Sequence, residues 1–345
     1  MNKVAVIFGG MSYEHEISIV SAIAMKKVIK KELIFIFIDQ YREFYLIPSE
    51  KMKSTLFSKG EYQKETKLQI SSGGFYRKGL FSNTKIEFDI ALNLIHGQDG
   101  EDGTLASVFN FFGIDFIGPR TEASVLSFNK YITKMYASSC GVKTIEYEKI
   151  DKSNRDIKTI SYPMIIKPCR LGSSIGVSII KDAKELEYAL DVAFEFDEDV
   201  IVEPFIQGVK EYNLAGTMTN EAIVYSIVEE PQKEEFLDFD KKYLDFARSE
   251  QTSSAAIEDS LVQKLRNSFK AIYEPLFIGA IIRCDFFVID GEVYLNEINP
   301  IPGSMANYLF EDFNKLISDI VLPKSKKIKI NYEYVNKIKS AKGKL

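Results

Sequence analysis

Residues 282–299 read Ile-Arg-Cys-Asp-Phe-Phe-Val-Ile-Asp-Gly-Glu-Val-Tyr-Leu-Asn-Glu-Ile-Asn, two apolar runs joined at Asp290-Gly291 in the pattern of a β-hairpin. Side chains on a strand alternate between faces, so Arg283 and Asp285 share one face, and Glu297 and Asn299 share one on the returning strand. Whether the two pairs meet depends on the loop. A two-residue loop at Asp290-Gly291 opposes Ile289 to Glu292 and leaves Asp285 and Glu297 on opposite faces. A three-residue loop, Ile289-Asp290-Gly291 with the glycine in the left-handed region, opposes Val288 to Glu292 and brings all four polar residues together. The sequence therefore predicts the three-residue loop. Two carboxylates and an amide oxygen beside a guanidinium suit Mg²⁺, which takes oxygen ligands and usually shares its sphere with substrate phosphates.

Outside the hairpin, composition narrows the class. The chain has 345 residues, 46% of them hydrophobic, and a formal net charge of -5, which allows two or three well-buried domains. Lys and Arg nearly balance Asp and Glu, and no basic stripe precedes the last twenty or so residues, which argues against a nucleic-acid partner. No segment approaches a membrane span, and the run Lys3–Phe8 is too short for a signal sequence. Cys140, Cys169 and Cys284 are odd in number and lack CxxC spacing, so a reducing compartment is expected, with neither a disulfide framework nor a zinc site.

Strand and helix patterns alternate along the first third. Val4–Phe8 is a buried-strand run broken by Gly9-Gly10, and Ile17–Ile29 has helical spacing of apolar residues. Leu33–Ile38 and Ile90–Ile95 are apolar on both faces, the mark of a parallel sheet covered by helices, so an open α/β domain is expected to end at Gly118-Pro119. A helix is predicted from Lys130 to about Ser139, with strands over 162–167 and 177–180. The charged segment from Glu229 to Ser253 is long for a connection and reads as a lid or binding loop.

Four further stretches carry polar chemistry. Gly9-Gly10-Met11-Ser12-Tyr13-Glu14-His15-Glu16 lies at a strand's C-terminal edge, where ligands gather, although acidic residues also favour helix N-termini. Lys167-Pro168-Cys169-Arg170-Leu171-Gly172-Ser173-Ser174-Ile175-Gly176-Val177 could fold over phosphates or simply turn a hairpin. His96 leads a glycine-rich run to Gly103, as a base or as a packed group. Asp238-Phe239-Asp240-Lys241-Lys242-Tyr243 is either a solvated face or part of the lid.

Taken in order, these stretches with Arg283-Cys284-Asp285 and Asn296-Glu297-Ile298-Asn299-Pro300-Ile301-Pro302-Gly303 resemble the D-alanine–D-alanine ligases of the ATP-grasp superfamily over residues 3 to about 310. The resemblance implies an open α/β domain over 1–118 and two α+β domains over 119–203 and 204–323 that sandwich ATP. It also implies a lid at 229–253, a basic tail at 324–345 with eight lysines and one glutamate, and a cytoplasmic homodimer. The implied reaction joins two D-alanines through an acyl phosphate for peptidoglycan synthesis. ATP would meet Lys130, Lys167, Glu203, Ile206, Glu211 and Lys242, and Asp285, Glu297 and Asn299 would hold two Mg²⁺ or Mn²⁺ ions. Glu14, with His96 nearby, would hold the first D-alanine, and Ser173 and Tyr243 would link to Glu14. Arg283 and the Gly303 N–H would stabilise the oxyanion, and Ser304 and Met305 would meet the second D-alanine. Asn129 stands where the family usually has Asp. Another ATP-grasp carboxylate–amine ligase and a D-alanine–D-lactate ligase are the alternatives.

Overall fold

The computed structural model describes residues 2–231, 252–324 and 328–342. Its first sheet contains β1 (Lys3–Gly9), β2 (Glu32–Ile38), β3 (Phe44–Ile47), β4 (Thr66–Ser71), β5 (Gly74–Arg77), β6 (Thr84–Lys85), β7 (Ile90–Asn93) and β8 (Phe116–Ile117), in the order β6-β5-β4-β3-β2-β1-β7-β8. The strands β2, β1, β7 and β8 are parallel, as their two-sided apolar runs require. The other four form an antiparallel extension that the expected parallel sheet did not include. These strands are short, and β3 and β4 alternate between more and less buried positions, so one face can stay wet. β7 stops two residues before the predicted end because the Asn93 side chain accepts from the Ile95 N–H and turns the chain.

Helices α1 (His15–Val28), α2 (Ser54–Ser58) and α3 (Thr104–Phe112) accompany this sheet, and α4 (Thr121–Phe128) and α5 (Lys130–Ser139) lead away from it. The second sheet is antiparallel, in the order β11 (Ser178–Ile180), β10 (Met164–Pro168), β12 (Asp199–Pro204), β9 (Glu148–Asp151), and it packs on α6 (Leu186–Phe194). The third runs β14 (Ile223–Glu229), β13 (Lys210–Met218), β15 (Ile282–Ile289), β16 (Glu292–Asn299). It is covered by Leu265, Phe269, Ile272 and Tyr273 of α7 (Asp259–Leu276). Helices α8 (Phe313–Asp319) and α9 (Glu333–Lys342) follow. Among the described residues no helix is long and apolar enough to cross a membrane.

One apolar cluster ties the first sheet to a distant part of the chain. Val4, Phe8, Phe35 and Phe37 share it with Met305, Leu309, Phe310, Phe313, Leu316 and Ile317, all buried.

The β15–β16 hairpin corrects the loop prediction. Ile289 faces Glu292 across a two-residue turn, with Asp290 at φ 51° and Gly291 at φ 75°, the two positive φ values that a type I′ turn needs and that Asp-Gly tolerates best. Further down, Phe286 faces Leu295 but Asp285 faces Glu297, so Asn296 is the extra residue of a β-bulge. That bulge changes the parity of the ladder, and the four polar residues converge after all. The sequence argument assumed an unbroken ladder and therefore put the extra residue in the turn.

Candidate active site

Beyond β1 the chain turns through Gly10–Tyr13 and delivers Glu14 to the start of α1. Glu14 is buried; its Oε1 accepts a 2.6 Å hydrogen bond from Ser173 Oγ, while Oε2 has no hydrogen-bond partner. Two glycines make room for this carboxylate. A Cβ on Gly97 would lie 2.7 Å from Oε2, and one on Gly172 would lie 2.8 Å from Oε1. Burial and then Glu101 push the Glu14 carboxyl up, against Ser173, His96 and Lys130, which hold it down. A buried carboxylate oxygen left without a donor is costly, so the cradle suits a small cationic ligand group. Tyr13 meets Phe196 edge-on at 5.4 Å, a second link between the first sheet and the glycine-serine loop.

His96 follows β7 and is also buried. Its Nε2 lies 2.9 Å from Ser21 Oγ and its Nδ1 lies 3.7 Å from Glu101 Oε1. Burial lowers its pKa to about 4, so the ring is neutral near pH 7. Glu101 is pushed up to about 8, again mainly by burial. Sequence reading did not single out Glu101; its only signal was a place in the acidic run 99–102.

On the nucleotide side of the resemblance, Asn129 caps α5 by accepting from the N–H groups of Tyr131 and Ile132, a duty that the family's Asp could equally perform. Lys130, the next residue, donates to the Leu171 carbonyl. Lys167 ends β10 and ion-pairs with Glu203 of β12, Nζ to Oε2 at 2.6 Å, and Lys134 of α5 approaches Oε1 at 2.7 Å. Burial works against the charge of Glu203, but Lys167 and Lys134 outweigh it and hold the carboxyl down at about 2. Lys167 is raised, since Glu203, Glu297 and Glu211 outweigh burial. Glu203 thus faces two lysines. Lys134 was missed in the sequence, although its i, i+4 spacing from Lys130 puts both on one helix face. Ile206 and Glu211 are half-buried beyond β12 and on β13.

Across the third sheet, Glu229, Asn213, Asp285 and Glu297 sit side by side in register, one from each strand. Asn213 Nδ2 donates to Glu229 at 3.0 Å, and neither residue was singled out beforehand. Arg283 grips Asp285 with two hydrogen bonds, from Nε at 2.7 Å and Nη2 at 2.8 Å, and Asn299 Nδ2 donates to the same carboxylate at 3.0 Å. Burial, Glu297 and Glu211 push Asp285 up while Arg283 pulls it down. Burial opposes the Arg283 charge, yet Asp285 keeps its pKa well above the ordinary arginine value.

Beside this hairpin, Gly303 is buried and leads into Ser304, Met305 and Ala306, three consecutive non-glycine residues at φ 47°, 53° and 51°. Such left-handed backbone persists only where surroundings enforce it, here by complete burial and by an Asn307 Nδ2 to Ser304 carbonyl bond of 2.9 Å. Glu101, Lys130, Leu171, Gly172, Glu297 and Asn299 line one narrow cleft, so groups from all three sheets meet there. Lys242, Tyr243 and most of the expected lid lie outside the described residues.

Residues 3–119 match the family model described as D-ala D-ala ligase N-terminus, and residues 138–315 match D-ala D-ala ligase C-terminus. The D-alanine–D-alanine ligase of Sulfurovum sp. (strain NBC37-1) is 59% identical over 345 residues, covering 99% of each chain. That of Campylobacter jejuni subsp. jejuni serotype O:2 is 57% identical over 345 residues, covering 99% of this chain and 100% of the relative. The crystal structure of the Helicobacter pylori enzyme matches with a TM-score of 0.85 at 47% identity, covering 94% of this chain and 100% of that one. Carrying both halves of the family and its ATP-grasp architecture over its whole length, this chain belongs to the D-alanine–D-alanine ligase family.

Proposed function

We propose that this protein joins two D-alanines at the expense of ATP, through an acyl phosphate on the first, releasing ADP and phosphate and supplying peptidoglycan synthesis. The observation that carries the reading is the Glu14 cradle: a buried carboxylate oxygen without a donor, closed by Ser173, with glycines that leave space for a small amino acid. Glu14 would hold the ammonium of the first D-alanine, beside a neutral His96.

A carboxylate must be activated before an amine can displace its oxygen, and phosphorylating it brings two anions together. Lys167 and Lys130 would lessen that repulsion at the phosphates, with Ile206, Glu211 and Glu203 toward the nucleoside. Asp285, Glu297 and Asn299 fit a hard divalent ion such as Mg²⁺ or Mn²⁺. Two opposed carboxylates raise each other's pKa, as a cation would relieve, and among the described residues no group of three His, Cys, Asp or Glu forms a complete cage. Such an ion, when bound, screens phosphate charge and completes its sphere with phosphate oxygens.

Attack by the second amine passes through a tetrahedral oxyanion. Arg283, anchored at Asp285, and the N–H of Gly303 would face that oxygen, with Ser304 and Met305 against the second D-alanine. Domain limits near residues 118 and 203, which fall between the sheets, suit this division of labour. The test is ADP release in the presence of ATP and Mg²⁺, with D-alanine and with other single amino acids. Turnover that does not depend on D-alanine defeats the reading. Arg283→Ala should slow the reaction by about a hundredfold or more.

A further inference from the structure

Glu203 is 1% exposed, and each of its oxygens is claimed by a different lysine. Lys167 is the outer partner, with a side chain 13% exposed; Lys134, at 1%, is sealed inside. One carboxylate and two ammoniums leave a single surplus positive charge, and only Lys167 can offer it to a ligand. The two contacts also differ in kind. Lys167 donates a hydrogen bond at 2.6 Å, whereas Lys134 Nζ, although 2.7 Å from Oε1, makes no hydrogen bond of good geometry and has the Tyr147 ring 5.5 Å away. Its attraction to Glu203 is therefore Coulombic, with donors in reserve.

If Lys167 reaches ATP phosphates, as the proposed function requires, it must loosen its hold on Glu203. A buried carboxylate stripped of its only cation is strongly unfavourable, and such a cost would tie Lys167 down. We propose that Lys134 is a positioning residue that takes over Glu203 when Lys167 turns to the nucleotide phosphates. Glu203 then stays neutralised throughout, and the surplus charge is delivered to the phosphates at little cost.

The test is titration of ATP and of adenosine into the full-length protein, with steady-state kinetics alongside. Lys134→Met should raise the Kd and KM for ATP about tenfold or more, while adenosine affinity and the KM for D-alanine change little. Adding Glu203→Gln, which removes the charge that needs a keeper, should restore much of the ATP affinity. ATP affinity within twofold of wild type in Lys134→Met overturns the proposal, as does an equal loss of ATP and adenosine. So does a double variant that binds ATP no better than the single one. Should Lys134→Met alone fail to fold, the double variant decides: it should fold and bind ATP within about tenfold of wild type, and failure to do so overturns the proposal. Wild-type protein that binds no ATP would sink the ligase reading and this one together, so the wild-type titration tells the two failures apart.

Discussion

Buried among Ser21, Glu101 and the chain around Ile301, His96 loses the hydration that an imidazolium needs, and its pKa falls to about 4. In the unfolded chain a histidine takes up its proton near pH 6.5. Between those values the unfolded state binds more protons than the native one, so stability is full above about pH 6.5 and declines as the pH falls toward 4. His96→Gln should abolish roughly 2 kcal/mol of the stability lost between pH 7 and pH 5, measured by urea unfolding at both. Identical pH slopes in the two proteins would refute this. Gly97 gives a second prediction, since at φ +70° a Cβ would come 2.4 Å from Ser12 Oγ and 2.7 Å from Glu14 Oε2. Gly97→Ala should cost about 1–3 kcal/mol and raise the KM for D-alanine more than that for ATP. At this scale the sequence shows residues whose neighbours reveal them, such as Glu14 after a strand-ending glycine pair or Arg283 two places from Asp285. Glu101, Lys134 and Asn213 stayed hidden because burial and a cross-strand partner give them their meaning, and neither leaves a local pattern.

Among the elements, the β15–β16 hairpin shows where sequence reading stops. Alternation demanded one residue more on one strand, but a longer turn and a bulge satisfy that demand equally, and the preference of Asp-Gly for a two-residue type I′ turn decides between them. Removing Asn296 would restore an even ladder and send Glu297 and Asn299 to the face opposite Asp285. The deletion variant is expected to keep its far-UV circular dichroism and lose all detectable ADP release with D-alanine. Retained activity would mean that these groups do not act together. At the turn itself, Gly291 has open space around its Cβ position, so Gly291→Ala should cost only about 1 kcal/mol in thermal or urea unfolding and leave kcat unchanged. Long or two-sided apolar elements were legible, among them β1, β2 and the helix from Lys130 to Ser139. Strands β3 to β6 were not, because two to six residues with one wet face carry too little periodicity to stand out.

For the molecule as a whole, the shared apolar cluster means that the first sheet does not own all of its core. Phe8, Phe35 and Phe37 rest against Leu309, Phe310, Phe313 and Leu316, residues that a boundary at Gly118-Pro119 would assign elsewhere. Periodicity could mark the strand and helix faces as apolar, but it could not say which distant segment covers them. A fragment of residues 1–119 should therefore show no cooperative unfolding transition and should bind the dye ANS, although it matches a family model by itself. A sharp two-state transition in that fragment would count against this. The same arrangement sets a timetable for the nascent chain. Synthesis at about 5–20 residues per second puts the missing cover on the ribosome roughly ten to forty seconds after the first sheet has emerged. Until then its sticky side is open to chaperones, and that half of the enzyme completes its fold only once most of the polypeptide has been translated.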